Sequence, residues 1–384
     1  IRGLVGSEMC IRDRNNNLKI VSIGPYSPFR GGISDFNHHL VTQLKNSHDV
    51  TILNFKKLYP KIFFPGKSQY KNNASNNNSS LRILNPLNIF SWRKAIKKIN
   101  ELNTDIIIFS YWHPFFSIMY SYIAKRINSK KVYFLIHNAK SHQNFPFQNF
   151  FLKKMLKEGT HLVVMNQNEM KRIKRYNLEA KIINSFHPIY EIDYNIDDRE
   201  RFKNNLGLKS DPTILFFGLI RPYKGLDILI NAVNRLKIKI PNLKVFIVGE
   251  PYTDLSNYLN KIKEYGLESS FIIHPNFVSK EDLSKYFLSS DLIVLPYKQA
   301  TQSGILSLSM NFNLPAIVSS KGGLKDYIIE KETGYIVDPN EDEVALSIHS
   351  FFNNNMYDIM TKNISNHKKN FSWEEFERTL QLYD

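Results

Sequence analysis

Arg221 and Lys224 are the residues with the clearest capacity for chemistry. They stand in the segment Phe216-Phe-Gly-Leu-Ile-Arg-Pro-Tyr-Lys-Gly-Leu-Asp. An apolar strand runs into Gly218, and a helix follows Gly225. Two cations three residues apart beside a helix start suit a diphosphate. Arg offers a planar fork and Lys a compact charge. The plain alternative is a solvated basic turn.

Two further loops in the same half repeat the arrangement. Leu295-Pro-Tyr-Lys-Gln-Ala-Thr-Gln-Ser-Gly leaves a strand and enters a helix. Thr301, Ser303 and the amides near Gly304 could bind phosphate or sugar oxygens. Ser319-Ser-Lys-Gly-Gly-Leu-Lys-Asp follows another strand, with Gly322, Gly323 and Asp326. Each loop alone would be a turn, and their recurrence after strands is the stronger signal. The first half has Gly24-Pro-Tyr-Ser-Pro-Phe-Arg-Gly-Gly-Ile-Ser-Asp, where Gly31 and Gly32 let backbone approach a ligand. The G-x-G-x-x-G dinucleotide spacing is absent, and an ordinary strand-to-helix turn is the alternative. His137 ends the strand Phe134-Leu-Ile. A histidine there is either structural or at the mouth of a ligand crevice.

The elements that must position these residues alternate. Strands are expected at Leu18 to Ile23, Val50 to Phe55, Ile106 to Ser110, Lys131 to Ile136 and His161 to Met165. A second series falls at Thr213 to Phe217, Lys244 to Val248, Phe271 to His274, Leu292 to Pro296 and Ala316 to Ser319. They are continuous apolar runs, as in parallel sheets covered on both faces. Helices are expected at Ser34 to Leu44 with Ser34 as N-cap, Trp92 to Asn100, Leu226 to Leu236 and Lys280 to Leu288. Tyr70 to Ser80 reads as an Asn/Ser-rich loop. Asn184 to Asp211 is polar and reads as the linker region. The fold expected is α/β, with two doubly wound Rossmann-like domains facing across a cleft. Residues 15–195 form the first and 196–368 the second, with 369–384 a helix returning to the first.

The chain has 384 residues and a formal net charge of +16. Residues 1–195 carry 29 Lys and Arg against 11 Asp and Glu; the remainder carries 22 against 24. The basic half suits an anionic partner such as a membrane surface, or it reflects solvated Lys-rich helix faces. No helix-turn-helix, RNP-like or zinc pattern points to nucleic acid. The single cysteine, Cys10, excludes a disulfide framework and fits a reducing, cytoplasmic setting. Residues 1–14 lack any periodicity and read as a non-native or disordered extension. Ile106 to Ala124 is uncharged and long enough to span a membrane. His113-Pro114 interrupts it, and it reads better as strand, turn and helix.

In this order the segments resemble the GT-B glycosyltransferases, specifically the GT4-type retaining group. Phe217 to Gly225, Ser290-Asp-Leu-Ile-Val-Leu-Pro-Tyr, Leu314-Pro-Ala-Ile-Val-Ser-Ser-Lys-Gly-Gly, Gly334-Tyr-Ile-Val-Asp-Pro and Phe371-Ser-Trp373 carry the resemblance. It implies sugar transfer from a nucleotide-diphosphate sugar to a saccharide or lipid-linked acceptor, with retention and without a metal or other cofactor. It implies a role in bacterial cell-surface polysaccharide or glycolipid synthesis, at the inner face of the cell membrane. It also implies that the second domain holds the donor and the first the acceptor. Arg221 and Lys224 would neutralise the departing diphosphate, and His137 would touch the sugar or reaction centre. Gly31 and Gly32 would line the same cleft. Gly218, Gly225, Thr301, Gln302, Ser303, Gly304, Gly322, Gly323 and Asp326 would bind the donor. One departure is marked: where the family often has two glutamates, this chain has Ala300 and Leu308. A catalytically silent GT-B module that binds a glycan or protein partner is the competing reading.

Overall fold

The computed structural model describes residues 17–384 other than 30, 59–69, 71–79, 140–146, 177, 209, 280–281 and 301–302. The chain separates into two compact units. One holds residues up to Phe186 together with Trp373–Asp384, and the other holds His187–Ser372.

The first unit runs β1 (Lys19–Ile23), α1 (Gly32–Leu44), β2 (Asp49–Phe55), β3 (Ser80–Leu84), α2 (Ile89–Glu101), β4 (Ile106–Tyr111), α3 (Ser117–Ala124), β5 (Lys131–Ile136), α4 (Gln148–Leu156), β6 (His161–Val164), α5 (Gln167–Lys174) and β7 (Lys181–Asn184). Its seven strands are parallel, in the order β3-β2-β1-β4-β5-β6-β7. The order reverses between β1 and β4, and a doubly wound sheet opens its ligand crevice there, beyond the strand carboxyl ends. One face of the sheet is covered by α2 to α5 through Ala95, Ile99, Met119, Ile123, Leu152, Met155 and Ile173. The other face is covered by α1 through Phe36, Leu40, Val41 and Leu44.

The second unit runs α6 (Asp198–Asn205), β8 (Thr213–Phe217), α7 (Leu226–Leu236), β9 (Lys244–Val248), α8 (Ser256–Glu264), β10 (Phe271–His274), α9 (Leu283–Ser289), β11 (Leu292–Leu295), α10 (Gly304–Asn311), β12 (Ala316–Ser319), β13 (Gly334–Val337), α11 (Glu341–Asn353) and α12 (Tyr357–His367). Its six strands are parallel, in the order β10-β9-β8-β11-β12-β13, so the reversal lies between β8 and β11. The last helix, α13 (Trp373–Thr379), packs in the first unit, where Phe376 is fully buried against Phe36 with ring centroids 5.6 Å apart.

Several expectations are corrected. Helix α1 starts at Gly32 with Gly31 as its cap, and Ser34 is buried inside the helix and does not cap it. Gly31 takes φ 120°, which lets the chain turn straight into the helix. Helix α2 starts at Ile89, not Trp92, because the Asn88 side chain accepts the Phe90 amide as an N-cap. Strands β3, β7 and β13 were not anticipated. Helix α6 lies where only a linker was expected. It has no buried residue, so it shows no apolar period. Polar bonds hold it instead: Arg199 pairs with Asp291 and donates to the Leu288 and Ser290 carbonyls, and Lys203 lies 2.9 Å from Asp291. Helix α9 starts at Leu283, not Lys280. Residues Cys10, Lys280, Thr301 and Gln302, and the Tyr70 to Ser80 loop apart from its two ends, lie outside the described residues. Ile106 to Ala124 folds as β4, a 3₁₀ turn at Pro114–Phe116 and α3. Among the described residues no helix is long and apolar enough to cross a membrane.

Candidate functional site

The reversal in the second unit gathers the loops that follow β8, β11 and β12. Gly218 leaves β8 with φ 96°, and its amide donates to the Val248 carbonyl at 2.9 Å. The chain then forms a 3₁₀ turn over Pro222–Lys224 and enters α7 through Gly225 at φ 74°. Both glycines hold backbone conformations that a side chain would strain. They are also tightly enclosed. A Cβ on Gly225 would lie 2.1 Å from the Pro296 carbonyl oxygen, and one on Gly322 would lie 2.0 Å from that of Ala300. The β11 loop is therefore held against both the β8 turn and the Gly322-Gly323 turn after β12.

The two cations end up together. Lys224 is only 6% exposed, yet among the described residues it has no carboxylate partner. Burial, and then the neighbouring Arg221 charge, push its pKa down from 10.5 to about 8. Its Nζ lies 5.4 Å from the centre of the Tyr297 ring. The Arg221 guanidinium lies 4.8 Å from the centre of the Tyr252 ring, and its Nε is buried with no acceptor. A half-buried Arg and a buried Lys, mutually repelling and, among the described residues, without an acid paired to either, form a site with excess positive charge.

The start of α10 adds to that field. Gly218, Lys224 and Ile305 converge, since a Cβ on Gly218 would meet Lys224 Nζ at 2.9 Å and Ile305 at 3.1 Å. The Ser303 side chain does not cap the first amides of α10, and nothing lies within 4 Å of a Cβ placed on Gly304. The first amides of a helix have no acceptor within it and carry the positive end of its dipole. The start of α10 thus lies near Lys224, which in turn neighbours Arg221, an arrangement that suits an anion. Gly323 is buried, and Asp326 is exposed on a short 3₁₀ turn at Lys325–Tyr327. Leu308 is half-buried on α10. Among the described residues no three His, Cys, Asp or Glu side chains are grouped to hold a metal ion.

In the first unit, Gly31 and Gly32 begin α1, and nothing lies within 4 Å of a Cβ placed on either. The turn after β1 is pinned by Asn37, which is fully buried. Its Nδ2 donates to the Pro25 carbonyl at 3.0 Å, and its Oδ1 accepts from Ser110 Oγ at 2.5 Å. His137 extends β5, with its amide donating to the Tyr111 carbonyl at 2.8 Å. Its ring is 5% exposed and stands edge-on to Phe36, centroids 4.7 Å apart. The neighbours Gly249, Tyr252, Tyr297 and Ile305 were not singled out from the sequence. Gly249 alone left a sign there, as a glycine at a strand end. A Cβ on it would lie 2.3 Å from the Gly218 carbonyl oxygen.

Comparison with known proteins follows this geometry. Residues 198–371 match the family described as Glycosyl transferases group 1. An uncharacterized glycosyltransferase (MJ1607) of Methanocaldococcus jannaschii is 28% identical over 213 residues, covering 53% of each chain. The D-inositol 3-phosphate glycosyltransferase of Mycobacterium marinum is 22% identical over 240 residues, covering 60% of this chain and 50% of that one. The chain thus spans about half the length of the curated relatives it matches. The structure of Anabaena HepE (Alr3699) in complex with UDP superposes with a TM-score of 0.71 at 14% identity, covering 94% of this chain and 98% of that one. The two parallel sheets are those of the GT-B fold. The second unit is thus similar in sequence to the glycosyl transferases group 1 family over residues 198–371.

Proposed function

We propose that the protein transfers a sugar from a nucleotide-diphosphate sugar to a saccharide or lipid-linked acceptor, in cell-surface polysaccharide or glycolipid synthesis. The observation that carries this reading is the pair Arg221 and Lys224, without a carboxylate partner among the described residues, beside the open start of α10. Glycosyl transfer leaves a nucleoside diphosphate whose charge grows as the bond to the sugar breaks. Fixed cations and amides already facing that oxygen lower the barrier without reorganisation. That is the work a divalent ion does elsewhere, so we assign it to the protein and propose turnover without metal. A neighbour solved with UDP supports a nucleotide donor. A relative named for an inositol phosphate supports a polar, phosphorylated class of acceptor.

Within this reading Arg221 and Lys224 neutralise the diphosphate. Gly218, Gly225, Gly322 and Gly323 shape the backbone around it, and Ser303, Gly304, Thr301, Gln302 and Asp326 contact the rest of the donor. His137 touches the sugar or the reacting centre, and Gly31 and Gly32 leave room for substrate. Retention of the anomeric configuration belongs to the same proposal. With Ala300 and Leu308 in place of acids, the ribose is held by neutral groups.

The test is a screen of nucleotide sugars by thermal shift, followed by turnover of the stabilising donor with EDTA present. A bound donor raises stability by mass action. Arg221→Ala together with Lys224→Ala should lower kcat by about 10²- to 10³-fold. Unchanged turnover in that double variant would remove the site assignment. Absence of calorimetric binding by every nucleoside diphosphate would favour a silent module.

A further inference from the structure

Among the described helices of the first unit, the positive excess lies on one side of the sheet. Helices α2 to α5 with their C-terminal cap residues carry 12 Lys and Arg against two acids, Glu101 and Glu169. On the opposite side, α1 with its cap and α13 carry two against four. The sequence shows a basic half; only the fold shows a basic face.

That face also exposes large apolar side chains, and they are not scattered. Phe90 is the second residue of α2 and is 73% exposed. Ile118 is the second residue of α3. Phe147 caps α4 at 78% exposed, and Phe150 follows in its first turn. Leu87 lies just before α2 and is exposed as well. In a parallel α/β sheet the helices run back against the strands, so helix starts lie at the carboxyl edge. All five therefore form a row at the edge where His137 and Gly31 also lie. Neighbouring contacts keep the row continuous, since Trp92 of α2 packs on Tyr122 of α3 at 5.5 Å and α3 packs beside α4. One to two turns deeper along the same helices stand Arg93, Lys94, Lys97, Lys153, Lys154 and Lys157, all exposed.

We propose that this face docks the protein on an anionic lipid bilayer, with Leu87, Phe90, Ile118, Phe147 and Phe150 entering the interface and the lysines meeting the headgroups. Aromatic and aliphatic side chains in front, with cations behind at headgroup depth, match the layering of a bilayer surface. A solvated Lys-rich face would not need a row of exposed apolar groups. A nucleic acid would use the cations and would leave Ile118 and Leu87 without a role. The proposal extends the reading of a lipid-linked acceptor, which such a surface would present at the carboxyl edge. It is tested without turnover, so failure of either leaves the other standing.

The experiment is sedimentation of the full chain with large vesicles of phosphatidylcholine alone or mixed with phosphatidylglycerol. Binding is expected only with phosphatidylglycerol, and its loss is expected in about 0.5 M NaCl. Phe90→Ser with Phe150→Ser keeps the charge and should weaken binding about tenfold or more. Lys153→Glu with Lys154→Glu should weaken it at least as much. Lys45→Glu, on the α1 side, should leave it unchanged. All these positions are exposed, and far-UV circular dichroism should report unaltered folding. No sedimentation with phosphatidylglycerol vesicles would overturn the proposal. Equal binding by the double Phe variant would also overturn it, marking the face as a general polyanion site that duplex nucleic acid would fill equally well.

Discussion

Lys224 Nζ lies 2.9 Å from the place where a Cβ on Gly218 would be, although the two residues are six apart in the chain. The glycine's missing side chain is the space the ammonium occupies. Gly218→Ala should therefore act first on binding. The lysine end is flexible and can move aside, so the clash itself costs the fold little. The φ of 96° adds a strain of about 1–2 kcal/mol. We expect nucleoside diphosphate affinity to fall by about tenfold or more, measured by calorimetry, with a modest fall in Tm. A fall in Tm with unchanged affinity would show that Lys224 does not meet the ligand.

Gly225 should behave in the opposite way. Its Cβ would strike the Pro296 carbonyl at 2.1 Å, and that oxygen belongs to backbone that cannot swing aside. The φ of 74° adds strain. Gly225→Ala should lower unfolding free energy by about 2–4 kcal/mol, read from urea titration at constant m. Gly31→Ala is the control for crowding. It has a left-handed-side φ but nothing within 4 Å, so its cost should be strain alone.

The same two glycines show what could be read from the sequence. Strand-end glycines followed by helices mark the loops at the carboxyl edge, and β5, β8, β9, β10, β12 and α7 have the bounds their apolar runs suggest. Of the strands that were missed, β3 and β7 are edge strands interrupted or bounded by polar residues, so no continuous apolar run announces them, and β13 is a four-residue edge strand opening on Gly334, too short to stand out. Helix α6 escaped because charge pairs hold it. Tyr252, Tyr297 and Ile305 escaped for another reason. They meet Arg221 and Lys224 from 31, 73 and 81 positions further along (Tyr252 from Arg221, Tyr297 and Ile305 from Lys224), and no local pattern encodes such a meeting.

The cation–π contact of Arg221 with Tyr252 can be tested separately. Tyr252 is exposed and its ring faces the guanidinium at 4.8 Å, so it holds Arg221 in place without adding charge to the site. Tyr252→Ala should weaken diphosphate binding by a few-fold, in keeping with about 0.5–1 kcal/mol for such a contact. Tyr252→Phe should restore it. Equal losses in both variants would point to the hydroxyl.

Lys224 predicts a pH dependence. Its pKa in the folded chain is about 8, below the ordinary 10.5, because burial and Arg221 disfavour the charge. Below pH 8 the lysine is charged in both folded and unfolded chains, and the folded chain bears the full penalty. Between about 8 and 10.5 the unfolded chain binds more protons, so this group's contribution makes stability rise with pH. Diphosphate binding reverses the preference by pairing the ammonium. Affinity should be highest below pH 8 and fall by up to about tenfold per pH unit above it. Calorimetry near pH 8.5 in buffers of different ionisation enthalpy should show proton uptake on binding, and Lys224→Met should abolish that uptake. Unchanged uptake in Lys224→Met would place the titrating group elsewhere.

The C-terminal helix makes the final prediction. Phe376 of α13 is fully buried against Phe36, Trp373 and Phe186, with ring centroids 5.6, 6.0 and 5.9 Å away. Glu377 accepts from Gln43 at 2.8 Å and lies 3.3 Å from His48 Nε2. Phe36 also stands against the His137 ring, so the last helix supports the residue at the end of β5 through one shared aromatic. Phe376→Ala should destabilise the first unit by about 3–5 kcal/mol. Phe376→Leu keeps most of the volume and should cost less than half of that. If His137 takes part in turnover, Phe376→Leu should lower kcat while leaving nucleoside diphosphate affinity, a property of the second unit, unchanged. An equal loss of both would mean that α13 acts on overall folding and not through Phe36 and His137.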